Sequence, residues 1–280
     1  MKIEDNIPKF YIIHALEGFW FILPIFVLYF QHFGLSYTGI GILEFIGTIF
    51  IVLLEIPTGA FADIVGRRIT VFLAFFINCF AMIWIGFSTA MLGFVIGYIL
   101  WGIGDTLESG AHDALLCDTL KDMKKQKQYL KMLGRLTLVA TVTVIIGLFI
   151  GPVLFSIDVR YPWFAYGIAL LIASFVFLSM KEPKMRKRKI TIKSHYCQMK
   201  QSIKYAMNHK FIKWLIIFTV ILSIPMYVMN TFLIQPHLVD VGFSVISFSM
   251  IFPLIYGLAA LVSVYAYKIE KFFGEKSLFF

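Results

Sequence analysis

Lysine and arginine are missing from every long apolar stretch of this 280-residue chain. Only 15% of its residues are charged, while 60% are hydrophobic. Soluble domains lie nearer a quarter charged and half apolar, so the composition excludes an ordinary soluble fold. Cysteine is scarce too. Cys79, Cys117 and Cys197 are odd in number and show no ligand-like spacing, which argues against a disulfide framework or a zinc site. The amino end lacks a basic segment leading to a small-residue cleavage site, so the first apolar stretch reads as a retained span. There is no HExxH pattern and no Ser/His pair at matched depth, which argues against a membrane-embedded enzyme. No cofactor or metal is expected. In a soluble chain the positive excess of nine would suggest nucleic acid. Here it has to be read by position, and no nucleic-acid partner is expected.

What is abundant is uninterrupted apolar sequence. A spanning helix needs about 20 apolar residues to cross a core of roughly 30 Å. Eight segments qualify: Phe10–Phe30, Tyr37–Ile56, Ile69–Phe87, Met91–Cys117, Leu136–Phe155, Phe164–Met180, Trp214–Leu233 and Val245–Tyr267. A ninth is expected to begin at Ser277. The predicted fold class is all-α, a polytopic membrane bundle. With the amino end placed inside, every Lys and Arg except Arg160 falls in an inner segment. That asymmetry predicts a cytoplasmic amino terminus. The outer loops, such as Gln31–Ser36 and Ile234–Ser244, are short. The long inner segment 181–213 carries Tyr196, Met199, Ile203, Met207 and Phe211 at helical spacing among lysines. It reads either as a basic amphipathic helix on the inner surface or as a solvated linker.

Ionisable groups inside a span cost at least a few kcal/mol each and are therefore functional candidates. The spans hold His14, Glu17, Glu44, Glu55, Asp105, Glu108, His112 and Asp113. Asp105, Glu108 and His112 share one helical face, as do His14 and Glu17. At 1.5 Å per residue, Glu17 and Asp105 both lie about 10 Å from the inner boundary. The simplest arrangement points both faces into one wet cavity. Acids gathered there can exchange protons or accept a cation. Asp113 and Asp118 read as interfacial. Glu55, just ahead of Pro57, reads as a helix cap. Glu44 reads as a hydrogen-bond partner of a neighbouring helix. On the seventh span Thr219, Ser223, Tyr227 and Asn230 recur at helical spacing and read as cavity lining, with a kink at Pro225.

Between the second and third spans stands Gly59-Ala60-Phe61-Ala62-Asp63-Ile64-Val65-Gly66-Arg67-Arg68. Gly59 would allow close helix approach and Gly66 a tight turn. Asp63, Arg67 and Arg68 place charges at helix ends. The run resembles the inner-loop signature of the major facilitator superfamily, with Phe61 replacing the usual Leu. A second run, Gly147-Leu148-Phe149-Ile150-Gly151-Pro152, resembles the core of that family's antiporter motif, although Phe155 and Ser156 replace the following glycines. Tyr98 stands four residues before Gly102, where the family carries Arg. Lys268–Lys276 resembles a degenerate copy of the first signature.

The resemblance implies a transporter working by alternating access. It further implies that the signature loop acts as a conformational switch, with Arg67 pairing with Asp118. The expected organisation is a six-helix bundle over 1–180, a basic linker over 181–213, and an incomplete second bundle over 214–280. The expected activity is proton-coupled efflux of a small neutral or cationic solute. Its binding residues would be His14, Glu17, Asp105, Glu108, His112 and Asn230. Sugar or metabolite uptake, or an inactive truncated remnant, are the alternatives. The partners expected are a small solute, protons and the bilayer of the inner or plasma membrane, and the full-length form is expected to be a monomer.

Overall fold

The computed structural model describes residues 2–184 and 205–273, with side chains to residue 262. Its described backbone is helical, without a strand. The helices are α1 (Asn6–Glu17), α2 (Phe26–His32), α3 (Tyr37–Val65), α4 (Arg67–Phe87), α5 (Met91–Asp122), α6 (Tyr129–Ile157) and α7 (Tyr161–Leu178). After the linker come α8 (Lys210–Val228), α9 (Ile234–Asp240) and α10 (Phe248–Phe273). Among the described residues, seven helical segments are long and apolar enough to cross a membrane. Of the expected linker helix, Tyr196, Met199 and Ile203 lie outside the described residues. So do the end of the Lys268–Lys276 copy and the span expected from Ser277.

The first expected span is not one helix, which corrects the reading of Phe10–Phe30. It is α1 and α2 joined by an unwound stretch and a single 3-10 turn at Leu23–Ile25. Two causes are visible. Pro24 sits in the first turn of the new segment, where its missing N–H costs nothing. On the other side, α6 comes so close that a Cβ at Gly18 would lie 2.0 Å from Thr143 Oγ1. A Cβ at Gly151 would lie 2.0 Å from the Phe21 carbonyl oxygen, and one at Gly147 would lie 2.8 Å from the Trp20 amide. The antiporter-like glycines therefore form the groove that seats the break. Non-helical backbone at membrane depth is tolerated where it is buried in protein or lines a cavity, and this stretch does both.

The signature run also differs from expectation. Residues Gly59–Asp63 belong to the last turns of α3, so the loop shrinks to Gly66, at φ +107°. That φ favours glycine. Gly59 faces open space among the described residues, which corrects its assignment to close helix approach. Glu55 lies well inside α3 and is exposed, so it caps no helix end.

One end of the bundle carries the basic residues, and it is pinned by polar contacts within the first half. Arg67 donates to Asp118 Oδ2 and, over 2.8 Å, to the Ala114 carbonyl. Glu182 accepts from the Arg67 and Arg68 amides at 2.9 and 3.1 Å, an anion at the amino terminus of α4. Buried Asn6 exchanges two hydrogen bonds with the Lys181 backbone, at 2.8 and 2.9 Å.

The opposite, far end is packed by aromatic rings. Tyr29, Phe30, Phe94 and Trp163 meet with centroids 5.0–6.1 Å apart. Here the second half joins the first. A π turn at Met229–Leu233 leads into α9, so much of the expected outer loop Ile234–Ser244 is helical. Phe248 and Phe252 of α10 pack on Leu148 of α6. By contrast α8 is exposed along its length.

Candidate functional site

A cavity of about 530 Å³ lies between the broken first span, α3, α4, α5, α6, α7 and the far-end part of α8 with the π turn that follows it. Its ionisable lining consists of Glu17, Glu44, Asp105, Glu108 and His14, with the phenols of Tyr98, Tyr166 and Tyr227. Among the described residues, no Lys or Arg lines it. Glu17 and Asp105, on different helices, both face this space.

Three of the acids fall into two groups by their contacts. The first joins α1 to α5. His14 Nδ1 lies 3.8 Å from Glu17 Oε2, and His112 Nδ1 lies 3.7 Å from Glu108 Oε1. The two imidazoles stack with centroids 4.9 Å apart. His112 is only 8% exposed and lies behind the cavity wall, held among Phe10, Phe75 and Phe177. Glu17, Glu108 and His112 each bring one ligand-type atom within 4.8 Å of the others. Glu17 Oε2 and His112 Nε2 are buried without a hydrogen-bond partner among the described residues. Such a cluster can bind and share protons, or hold a small cation.

The second group is Glu44 alone on α3. Tyr98 of α5 donates to its Oε1 at 3.0 Å, and Tyr227 of α8 donates to its Oε2 at 2.7 Å. Tyr98 thus fills the Arg position of the family pattern with a neutral donor.

Not every expected residue reaches the cavity. Asn230 is absent from the lining and bonds the Met226 carbonyl of its own helix at 2.8 Å. Thr219 likewise bonds Leu215 at 2.8 Å. The π turn shifts the register, so Thr231 lines the cavity in place of Asn230. The residues expected to form a conformational switch, Gly59, Asp63, Gly66, Arg67, Arg68 and Asp118, lie outside the lining, at the basic end.

A family model described as the Major Facilitator Superfamily matches residues 13–280. The chain belongs to the Major Facilitator Superfamily. It is a multi-pass membrane transporter of that family's type, with the family's all-helical fold. It is 26% identical over 274 residues to an uncharacterized MFS-type transporter, YxaM, of Bacillus subtilis (strain 168), covering 94% of this chain and 67% of that one. Among solved structures it resembles the crystal structure of a D-xylose-proton symporter. The TM-score is 0.67 at 16% identity, covering 95% of this chain and 70% of the other, so the likeness is one of fold.

Within this superfamily member, several cavity residues lie beyond the reach of sequence reasoning. Asn78 is 5% exposed, lines the cavity, and its Oδ1 lacks a partner among the described residues. Trp163 likewise brings an unpartnered indole N–H to the wall. Their helices are smoothly apolar, and a single polar atom leaves no periodic trace. Gln235, fully buried, accepts from the Val27 amide and donates to the Leu23 carbonyl, both at 2.9 Å. It thereby satisfies backbone groups that the broken span leaves without helical partners.

Proposed function

We propose that this transporter exchanges protons for a small cationic solute through the central cavity, exporting the solute across the plasma membrane. The observation that carries the reading is the lining: four carboxylates from three helices and, among the described residues, no Lys or Arg in a cavity that is otherwise mostly aromatic and apolar. Desolvated acids sharing one cavity are stabilised either by protons or by a nearby cation, so the binding of one disfavours the other even where they sit on different carboxylates. Competition of this kind is the requirement for exchange. The D-xylose-proton symporter of similar fold carries a neutral sugar, which calls for a lining of balanced donors and acceptors rather than an excess of acid. Asn78 and Trp163 supply some of that, but the acids outnumber them.

In this reading Glu17, Asp105 and Glu108 hold the exchanged protons and His14 and His112 orient the carboxylates. The basic end faces the cytoplasm, as the positive-inside rule requires, and places the amino terminus there. Arg67, Asp118 and Glu182 lock the basic end of the first half during the rocking of the two halves. Glu17→Gln, Asp105→Asn and Glu108→Gln test the assignment in inverted membrane vesicles. The expected result is loss of solute uptake driven by a pH gradient in Glu17→Gln and Glu108→Gln. Wild-type rates in all three variants contradict it.

A further inference from the structure

We propose that Glu44, with Tyr98, Trp101 and Tyr227 around it, is the subsite that receives the cationic centre of a bulky organic solute. The proposal rests on the cation-exchange reading above and assigns the organic cation and the protons to different carboxylates.

Three observations separate Glu44 from the clustered acids Glu17 and Glu108. It stands apart from the crowded cluster of Glu17, Glu108, His14 and His112, where ligand-type atoms already lie within a few ångströms of one another. That cluster suits a proton or another compact ion and offers little volume for an organic group. Second, both Glu44 oxygens act as acceptors, with one phenol donor each. A carboxylate has lone pairs for about four such contacts, and a cation approaches an oxygen most closely where the phenol on it gives way. Third, its surroundings are aromatic. The Trp101 ring packs over Gly47, one turn along α3 from Glu44, and meets Tyr98 at 5.9 Å in a T-shaped contact. Phe26 lines the same part of the cavity and reaches Phe232, which itself contacts Tyr227. A carboxylate backed by aromatic faces matches a lipophilic ammonium or phosphonium, through Coulomb attraction and cation–π contact together.

The Tyr227 bond gives the subsite a mechanical consequence. Tyr227 belongs to the second half and Glu44 to the first, so their contact ties the halves together. A cation arriving at Glu44 competes with the Tyr227 hydroxyl for the same oxygen. Binding therefore loosens one of the polar ties across the cavity.

Calorimetric titration of the purified chain in detergent tests this with tetraphenylphosphonium and its neutral relative triphenylphosphine oxide. In Glu44→Gln the preference for the cation over the neutral compound is expected to fall by about tenfold or more, the scale of one lost charge contact. In Tyr227→Phe the affinity for tetraphenylphosphonium is expected to rise, because the competing hydroxyl is gone. Unchanged preference in Glu44→Gln overturns the proposal, as does an equal loss of both ligands. If Glu44→Gln does not fold, Tyr227→Phe decides alone: unchanged or weaker cation binding overturns it. A wild-type chain that ignores tetraphenylphosphonium sinks the cationic-solute reading itself, which the variants then need not address.

Discussion

The two ends of the molecule are held by different kinds of bond. At the basic end, charged groups bind one another within the first half: Arg67 with Asp118, and Glu182 with the amino terminus of α4. At the far end and across the cavity, the ties join the two halves: two are neutral, Gln235 to the broken first span and phenylalanines of α10 to α6, and one is a phenol, Tyr227, donating to the Glu44 carboxylate. The difference teaches a division of labour. Charge–charge contacts make a half rigid. Neutral donors, acceptors and apolar surface make contacts that part and re-form more readily, at roughly 1 kcal/mol per hydrogen bond rather than the roughly 2 kcal/mol of a bond to a charged group.

The contrast can be broken at four places. Gly151→Leu is the harshest test, because its Cβ would sit 2.0 Å from the Phe21 carbonyl oxygen and backbone cannot step aside. Overpacking of this kind costs about 3 kcal/mol or more. A severe drop in thermal stability or in folded yield is expected, and a wild-type melting profile would show that α6 does not seat the break. Gln235→Leu comes next. It strands the Val27 amide and the Leu23 carbonyl in a buried setting, at about 1–3 kcal/mol for each. The far end should then open more often, read as faster thiol labelling of a Leu148→Cys reporter. Arg67→Ala should cost about 2 kcal/mol, the scale of a charge-assisted hydrogen bond, with Lys121 still 3.1 Å from Asp118 as partial compensation. Its effect should be a lower melting temperature without faster labelling of the far-end reporter. Equal labelling changes in Gln235→Leu and Arg67→Ala would erase the distinction between the ends. Gly59→Ala should be mildest. It removes backbone freedom from a helix interior with nothing in its way, and a gain of up to about 1 kcal/mol is expected.

Much of this was legible in the sequence and some was not. The apolar runs locate seven membrane-length helical segments, but α3 continues nine residues past the expected end at Ile56 and α6 starts seven residues before the expected Leu136. Glu17, Asp105 and Glu108 stand out because an ionisable group within a span is costly and these lie on polar helix faces at similar depth. The break after Glu17 is invisible to hydropathy, since Gly18–Ile22 is as apolar as a helix; it depends on glycines of α6 more than a hundred residues away. Glu182 escaped for a similar reason: it reads as one charge among many in a basic segment until the fold brings it to α4. Asn230 was misplaced because helical spacing assumes 3.6 residues per turn, and the π turn at Met229–Leu233 violates that assumption. Glu44 was visible as a charge, but its phenol partners come from two other helices and no spacing rule connects them.

Proton release on solute binding is the most direct measurement of the central claim. The purified chain, in weakly buffered detergent solution near neutral pH, is mixed with saturating tetraphenylphosphonium while a pH indicator is followed. Competition between protons and an organic cation for the cavity acids predicts release of about one proton per bound cation, diminished in Glu17→Gln and Glu108→Gln. Stoichiometric binding with no release of protons in the wild type would contradict the account.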